Sequence, residues 1–420
     1  MLFYTHTLEW AQSVPLAFRG GADGYFGGSV ALTASRAIVG CCGKNANDGA
    51  VYVYSIDGTY LLTLLPQLPI DAGSYFGASI SASGDWLIVG VPGNDVIYFY
   101  EWTGATYTFR QRLTGSTTLG GDWFGTTVTM NSTFAVVGAF EDAGNNAGNI
   151  FVFTLTADVW GETQHIQAPV TATSDQFGVS VALDATSGVL VVGAAMTGGD
   201  AGQVFIFEEA AGVFAQAGEF DAPQAGDALG SSVAVSGTTV AVGAPYRNGT
   251  FLSCGAVEIY NKGGGIWGHS QTLLITPETT EDDGMAGAIG DLGVTEGSVA
   301  IMGDLLVVGS PGWRDDGGVT WKGATFLFVR EAGVWAQQPV YMYPNSAGLL
   351  GHGQFGVSCT EGLSSAGDYL LVGAFAEGAV DDPTYFGGNA RLYALGLLNL
   401  PMKLPMAGLY IDEVRGIKHT

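Results

Sequence analysis

The chain has 420 residues and a formal net charge of −25 at pH 7, with 47% hydrophobic and only 13% charged residues. The acidic excess repels a phosphate backbone, which excludes nucleic acid as a partner. No apolar run reaches the length of about 18 residues that spans a bilayer, and the opening MLFYTHTLEWAQSV has neither the basic segment nor the long apolar core of a classical secretion signal.

The first element predicted along the chain is a short strand, LEWAQSV, at residues 8–14. From residue 25 onward, one unit of roughly 48 to 66 residues is repeated. In each copy an aromatic-Gly pair opens a strand, a turn leads to an apolar strand that ends in Val-Gly, and a polar loop leads to a third strand. With 66 glycines and short runs of Val, Ile, Thr, Phe and Tyr, the composition favours brief strands and tight turns.

Seven copies of the opening motif follow one another. They are YFGGSVALTASRAIVG (25–40), YFGASISASGDWLIVG (75–90), WFGTTVTMNSTFAVVG (123–138), QFGVSVALDATSGVLVVG (176–193), ALGSSVAVSGTTVAVG (228–243), TEGSVAIMGDLLVVG (295–309) and QFGVSCTEGLSSAGDYLLVG (354–373). The closing Gly follows the Phe position by 14 residues in five copies, by 16 in the fourth and by 18 in the seventh.

Each copy continues with a third strand, and most continue with a fourth strand marked by an aromatic residue and then Gln. The predicted third strands lie at 50–54, 96–100, 149–153, 203–207, 256–260, 324–328 and 390–394. The fourth strands begin near residues 109, 160, 214, 267 and 335. The seventh copy has no such strand, whereas residues 8–14 carry the same signature before any first strand. We therefore expect residues 8–14 to pair with 390–394.

Seven four-stranded units closed in this way predict an all-β fold, a seven-bladed β-propeller of four-stranded antiparallel blades. The N-terminal segment is the outer strand of the last blade. Residues 1–395 form the single propeller domain, and residues 396–420 form a C-terminal tail. The Phe of each copy is expected to wedge between blades, and the following Gly to allow close backbone approach. Acidic side chains just ahead of the Phe position should cap turn N–H groups: Asp23, Asp122, Asp175 and Asp227.

These motifs resemble the FG-GAP repeat, the unit of the seven-bladed propeller at the head of integrin α chains and of many surface proteins. The resemblance covers residues 8–395, with VGAP at 242–245 and close variants elsewhere. The sixth copy departs most, because Thr295-Glu296 stands in place of Phe-Gly. The resemblance implies that partners dock on the face that carries the loops from fourth to first and from second to third strands.

The same resemblance implies a D-x-D-x-D-G calcium loop between first and second strands, and this chain departs from it. The corresponding turns offer at most one carboxylate: 33–36, 82–85, 130–133 and 236–239. We expect no metal in these turns and no cofactor. Acidic pairs elsewhere, such as Glu141-Asp142, Asp282-Asp283, Asp315-Asp316 and Asp381-Asp382, are interpreted as solvated loops.

No catalytic set is predicted. The five histidines form no metal-binding pair, and no GxSxG nucleophile motif occurs. Two GxGxxG matches, at 263–268 and 351–356, precede strands rather than helices, which argues against a phosphate cradle. We interpret the protein as a non-enzyme. A site built from scattered propeller loops remains an alternative.

Four cysteines, Cys41, Cys42, Cys254 and Cys359, are too few for a disulfide scaffold. Packed free thiols are the main interpretation, and one bridge is the alternative. Two sequons make Asn131 and Asn248 candidate N-glycosylation sites.

Two classes of function follow. The first is a recognition or adhesion propeller, extracellular or on a virion or cell surface, that binds a protein or glycan through its long loops. The second is a structural subunit of a larger assembly, for which the apolar segment LGLLNLPMKLPM (395–406) is a docking candidate. The long second-to-third loops are 244–255, 310–323 and 374–389. They contain aromatic and arginine residues of the kind that anchor interfaces: Tyr246, Arg247, Trp313, Arg314 and Trp321.

Overall fold

The computed structural model describes residues 7–16, 25–67, 73–141, 147–168, 175–184, 186–196, 201–248, 255–274, 299–310, 324–342, 355–364, 367–374, 378–379, 382–386 and 389–398. Within these residues, 30 strands form seven four-stranded antiparallel sheets and one two-stranded sheet. Two short helical turns are present, α1 (Lys44–Asn47) and a 3-10 turn (Pro92–Asn94).

The strands of the first three sheets follow one another along the chain. Sheet 1 contains β2 (Phe26–Leu32), β3 (Arg36–Cys41), β4 (Ala50–Ser55) and β5 (Tyr60–Leu64). Sheet 2 contains β6 (Ile80–Ser83), β7 (Trp86–Val91), β8 (Val96–Trp102) and β9 (Tyr107–Leu113). Sheet 3 contains β10 (Thr127–Met130), β11 (Phe134–Ala139), β12 (Asn149–Thr156) and β13 (Val159–Gln167).

Sheets 4 to 6 repeat this order. Sheet 4 contains β14 (Phe177–Leu183), β15 (Val189–Ala194), β16 (Gln203–Ala210) and β17 (Val213–Asp221). Sheet 5 contains β18 (Ser232–Ser236), β19 (Thr239–Ala244), β20 (Ala256–Gly263) and β21 (Ile266–Leu273). Sheet 6 contains β22 (Val299–Met302), β23 (Leu305–Ser310), β24 (Ala324–Glu331) and β25 (Val334–Met342).

Sheet 7 joins the two ends of the described chain. Its strands are β1 (Thr7–Pro15), β26 (Phe355–Ser364), β27 (Gly367–Ala374) and β30 (Asn389–Leu398), in the spatial order β1-β30-β27-β26. Between β27 and β30 a small hairpin is formed by β28 (Gly378–Ala379) and β29 (Asp382–Phe386). The end of β30 lies three residues beyond the predicted domain boundary at residue 395.

The predicted pairing of the N-terminal strand is confirmed. Thr7 lies opposite Leu398 and Ala11 opposite Ala394, and after a bulge Pro15 lies opposite Arg391. The next residue, Leu16, is buried and donates its N–H to the carbonyl of Ala390 at 3.0 Å. The outer strand of sheet 7 therefore comes from the start of the repeat array, as the aromatic-Gln signature of residues 8–14 predicted.

The sheets are arranged in a cycle. The first strands of successive sheets contact one another, from β2 and β6 through β10, β14, β18 and β22 to β26, and β26 contacts β2. This arrangement is that of a β-propeller with four-stranded antiparallel blades, in which radial repetition leaves only short sheet edges exposed. The predicted all-β propeller architecture is confirmed.

The Phe of each of the first four repeats wedges between neighbouring sheets, as predicted. Phe76 is fully buried and packs with Val51 and Val53 of sheet 1 and with Tyr98 of its own sheet. Edge-to-face ring pairs of this kind recur at centroid distances of 5.2 to 5.4 Å: Phe26 with Tyr52, Phe124 with Phe151 and Phe177 with Phe205. The wedge explains why an aromatic residue stands at this position.

A hydroxyl group two residues after the repeat's Gly links each of four sheets to the next one. Ser79 Oγ donates to the carbonyl of Gly125 at 2.7 Å. The same bond joins Ser29 to Gly77 at 2.8 Å, Thr127 to Gly178 at 2.7 Å and Ser180 to Gly230 at 2.7 Å.

The Gly that closes the second strand permits this approach, because a Cβ at Gly90 would lie 2.0 Å from the carbonyl oxygen of Gly125. The Gly residues at both ends of the first hairpin are therefore required by the junction between sheets.

The Gln of the fourth strand also joins neighbouring sheets. Gln111 donates to the carbonyl of Trp160 at 3.0 Å and accepts the N–H of Trp160 at 2.8 Å. Gln164 makes the same pair of bonds with Phe214, and Gln271 makes it with Trp335. The aromatic-Gln signature of the sequence is therefore a backbone clamp between outer strands.

Candidate binding face

Two sets of connections lie on one side of the propeller, which we call the loop face. They are the connections between second and third strands and those between successive sheets. A repeated hydrogen bond joins the two sets, because the N–H at or next to the Phe position binds a carbonyl in the preceding sheet's second-to-third loop. Phe177 N bonds Ala147 O at 2.9 Å, Leu229 N bonds Ala201 O at 3.0 Å and Tyr75 N bonds Asn47 O at 2.8 Å.

The opposite side, which we call the turn face, carries the first-to-second turns and the third-to-fourth hairpins. These also bond one another, since Trp102 N reaches Asp85 O at 2.8 Å and Leu155 N reaches Thr133 O at 2.9 Å. Asp184 is buried here and accepts N–H groups from Thr186, Ser187 and Gly237. Burial raises the pKa of Asp184, but these donors outweigh it and lower the pKa to about 2.

The predicted capping role of the acidic residue ahead of the Phe position is confirmed at two sites. Asp122 accepts the N–H of Leu119 at 2.6 Å, and Asp227 accepts the N–H of Gln224 at 3.2 Å. Asp175 is buried. Asp23 lies outside the described residues.

A row of aromatic side chains crosses sheets 2 to 4 on the loop face. Tyr75 and Trp123, each just before the repeat's Phe, have ring centroids 6.1 Å apart, and Trp123 lies 6.5 Å from Phe140. Phe140 in turn packs with Val179 and Ala195 of sheet 4. Tyr75 and Trp123 are half-buried, so each ring keeps an accessible part.

The backbone beneath this row is strained. Tyr75 has φ 56° and Trp123 has φ 55°, and Tyr25 stands at the same position of sheet 1 with φ 72°. Bulky residues rarely adopt the left-handed region, and such outliers persist where the surrounding structure fixes them. Here a turn fixes them, because the residue three positions later donates its N–H to the carbonyl of Tyr75 at 2.9 Å and of Trp123 at 3.1 Å.

A buried ionic cluster lies at the loop face of sheet 5. Arg247 Nη1 is 3.2 Å from Asp227 Oδ2 and 3.2 Å from Glu258 Oε1, and both carboxylates are 1% exposed. The other oxygen of Glu258 is 2.7 Å from His269 Nε2 and accepts the Thr272 hydroxyl at 2.7 Å. Burial raises the pKa of Asp227, and Arg247 opposes that rise.

The predicted interface residues fall in different environments. Tyr246 is 41% exposed. Arg247 is only 16% exposed and its guanidinium is bound by the two carboxylates, so the structure places it at the base of the loop. The N–H of Gly255 also closes this loop base on the carbonyl of Arg247 at 3.0 Å. Trp313, Arg314 and Trp321 lie outside the described residues.

The two sequons differ in accessibility. Asn248 is exposed. Asn131 is 7% exposed; its Oδ1 accepts the N–H groups of Thr133 and Phe134, and its Nδ2 donates to the carbonyl of Asp184 at 3.3 Å. A glycan on Asn131 would have to break this turn, so the structure favours Asn248 over Asn131 as the acceptor.

Two further expectations concern cysteines and metals. Cys41 and Cys42 are buried, as the packed-thiol interpretation predicted, whereas nothing is described for Cys254 or for the side chain of Cys359. Among the described residues, no three His, Cys, Asp or Glu side chains are grouped so that they could hold a metal ion. In the first of these turns, Thr33 Oγ1 accepts the N–H of Arg36 at 3.1 Å.

The aromatic row and the ionic cluster were both missed by the sequence interpretation. The row could have been found, because Tyr75 and Trp123 precede Phe-Gly in the printed motifs. For the cluster the only signal is Glu258, which stands where five of the six other third strands have Tyr or Phe. Its partners are distant in sequence, and only the fold brings them together.

Comparison with known families agrees with the geometry. Three segments, residues 107–153, 160–207 and 222–260, match the model of the FG-GAP repeat. The chain is an FG-GAP β-propeller. The first two FG-GAP matches begin in the fourth strand of one sheet and end in the third strand of the next, so the sequence unit is offset from the sheet by one strand. The same offset places the strand of residues 8–14 ahead of the first Phe-Gly pair.

No curated protein matches this FG-GAP propeller over its sequence. Among the described residues, no helix has the length and apolar character needed to cross a membrane.

Proposed function

We propose that this FG-GAP propeller is a non-enzymatic recognition module that binds a protein or glycan partner through its loop face, outside the cell or on a virion or cell surface. We also infer that the seven four-stranded sheets are the seven blades of one ring. The observation that carries the proposal is the pair of half-buried aromatic residues Tyr75 and Trp123, which packs on the buried ring of Phe140. Partly exposed aromatic rings on a rigid frame are typical of interface anchors.

The loop-face candidates from the sequence complete this proposal. Tyr246, with 41% of its surface exposed, is retained as a contact residue, together with Trp313, Arg314 and Trp321. Arg247 is reassigned as the residue that anchors the 244–255 loop, because its charge is already paired. A catalytic site built from loops of several sheets remains the alternative for the same face.

The experiment compares one variant on each face. The full chain is screened against glycan arrays and a panel of cell-surface proteins, and each ligand found is titrated against Trp123→Ala and Ile266→Ala. Ile266 is 76% exposed on a turn-face hairpin and serves as the matched control. We expect Trp123→Ala to weaken binding about tenfold, or about 1.4 kcal/mol, with Ile266→Ala unchanged. The opposite pattern, with both variants folded, would reverse the assignment of faces.

A second candidate function, a structural subunit of an assembly, is favoured by the turn face. Equivalent hairpin positions of sheets 3 to 6 carry aliphatic residues that are 55 to 76% exposed: Val159, Val213, Ile266 and Val334. Exposed apolar residues repeated on one face are typical of contact surfaces. Sedimentation of the isolated chain tests this candidate, because a subunit should associate, and substitution of these residues by Thr should reduce that association.

A further inference from the structure

We propose that sheet 7 is a strand-exchange site, at which the edge of β30 accepts β1 from a second copy of this chain. Sheets 1 to 6 are each built from four consecutive strands. In sheet 7 the outer strand β1 pairs with β30, although most of the chain separates them and no hairpin joins them. Among the described four-stranded sheets, β1 is therefore the strand with the weakest covalent link to its sheet.

The pairing of β1 is also interrupted. Five consecutive residue pairs run from Thr7 with Leu398 to Ala11 with Ala394, and a bulge separates them from Val14 and Pro15. Pro15 has no N–H to donate to a ladder. When β1 leaves, β26, β27 and β30 remain paired, and the edge of β30 exposes unpaired N–H and C=O groups, which are a template for another strand.

The strand that fits this edge best is β1 itself. In a dimer that has exchanged β1, each β1 makes the same contacts with β30 as it makes in the closed monomer. The stability of that dimer relative to two closed monomers therefore depends on the linker, on the entropy of association and on charge. The eight residues from 17 to 24 connect Leu16 to Tyr25 and reach at most about 28 Å when extended. The exchange therefore requires two closely placed copies, and it carries Leu16 with β1 because Leu16 is bound to Ala390.

Charge opposes this encounter. Each copy carries a formal charge of −25, so two copies repel at low ionic strength. Salt shortens the range of that repulsion, from about 30 Å at 0.01 M to about 8 Å at physiological ionic strength. Exchange should therefore increase with salt as well as with protein concentration.

Cysteine trapping in the full chain tests the proposal. Ala11 and Ala394 lie directly opposite each other, and opposed residues of antiparallel strands are about 4.5 to 5.5 Å apart at Cα, within the range of a disulfide. The Ala11→Cys and Ala394→Cys chains are mixed, incubated and oxidised. An Ala11→Cys/Ala394→Cys double variant reports the internal bond, and a Glu9→Cys/Gly396→Cys pair, two register positions away, provides a second test.

The control is a mixture of the Ala210→Cys chain and the Val213→Cys chain. These two residues lie opposite each other within the β16–β17 hairpin, which should not exchange between copies. We expect a disulfide-linked dimer joined at residues 11 and 394, identified by peptide mass, with a yield that rises with salt, and none in the control mixture. Internal bonds in a double variant without any intermolecular bond would overturn the proposal. Equal cross-linking of the control pair would also overturn it, because it would indicate general unfolding.

Discussion

The junction between sheets 2 and 3 and the junction between sheets 4 and 5 fill the same position with different chemistry. In the first, Phe124 meets Phe151 edge to face at 5.2 Å in a cluster of buried apolar side chains. In the second, Leu229 replaces the Phe, and Glu258 replaces the third-strand aromatic and binds Arg247. The propeller therefore requires that the space between neighbouring sheets be filled at this position. The side chains that fill it can be aromatic or charged, provided that every buried charge is paired.

Loss of the aromatic wedge between sheets 2 and 3 should destabilise the protein most. Replacement Phe124→Ala removes a fully buried ring and should lower the free energy of unfolding by about 3 to 5 kcal/mol, because the junction cannot collapse around the cavity. Chemical denaturation measures this loss. Phe109→Ala is the matched control, since Phe109 is 38% exposed and should cost much less. Equal losses would mean that the wedge is not a special position.

The ionic side is tested by Arg247→Met, which leaves Asp227 and Glu258 without their cation. We expect the free energy of unfolding to fall by about 3 kcal/mol at neutral pH, because removing the cation leaves two buried carboxylates without a counter-charge. The pKa of Asp227 is already raised by burial, and removal of Arg247 raises it further. A carboxyl whose pKa is higher in the folded than in the unfolded state lowers stability as pH rises through that pKa. The loss of unfolding free energy in Arg247→Met should therefore become smaller as pH falls from 7 towards about 4.

Denaturation at several pH values measures the deficit of Arg247→Met. Arg110→Met is the control, because the Arg110–Glu101 pair is exposed and should contribute about 1 kcal/mol or less. A deficit that does not change with pH would contradict the assigned role of the charges.

Asp184 differs from Asp227, because it is a buried carboxylate that is stabilised by N–H donors rather than by a cation. Its pKa is lowered to about 2, so its stabilising effect is present above about pH 4 and is lost as pH falls towards 2. Asp184→Asn should cost about 2 kcal/mol at pH 7 and almost nothing at pH 2. Parallel acid titrations of the unfolding free energy in both chains provide the measurement, and a constant difference would refute the explanation.

The smallest expected effect concerns the bonds that all these junctions share. Ser79→Ala removes the donor to the buried carbonyl of Gly125 and should cost about 1 to 2 kcal/mol in chemical denaturation. Ser83→Ala, at the far end of the inner strand β6 and partly exposed, should change stability by about 0.5 kcal/mol or less. If Ser83→Ala lowers the free energy of unfolding as much as Ser79→Ala does, the bond from Ser79 to Gly125 makes no specific contribution to stability.

The sequence was sufficient for the repeated parts of the fold. Strand order, the wedge at Phe76 and the closure of sheet 7 followed from spacing, because each repeat imposes the same backbone. The ionic cluster did not follow, since Asp227 precedes β18, Arg247 lies in the β19–β20 loop and Glu258 lies in β20, and only the folded sheet 5 brings them together. Asn131 likewise looks accessible as a sequon, and its burial depends on the neighbouring turn at Asp184.

The links from Ser or Thr to the next sheet's Gly have a consequence for how such a ring can grow. Sheets 2, 3 and 4 each present the same kind of donor on one side, as Ser79 does, and the same acceptor on the other, as Gly77 does. Any of these three units can therefore follow another, because the bonds on its two sides are of the same kind. A tandem duplication of one of these units would carry both the donor and the acceptor of its junctions, so it would need no new kind of bond between sheets, while the side chains inside a single junction can differ, as they do at Glu258.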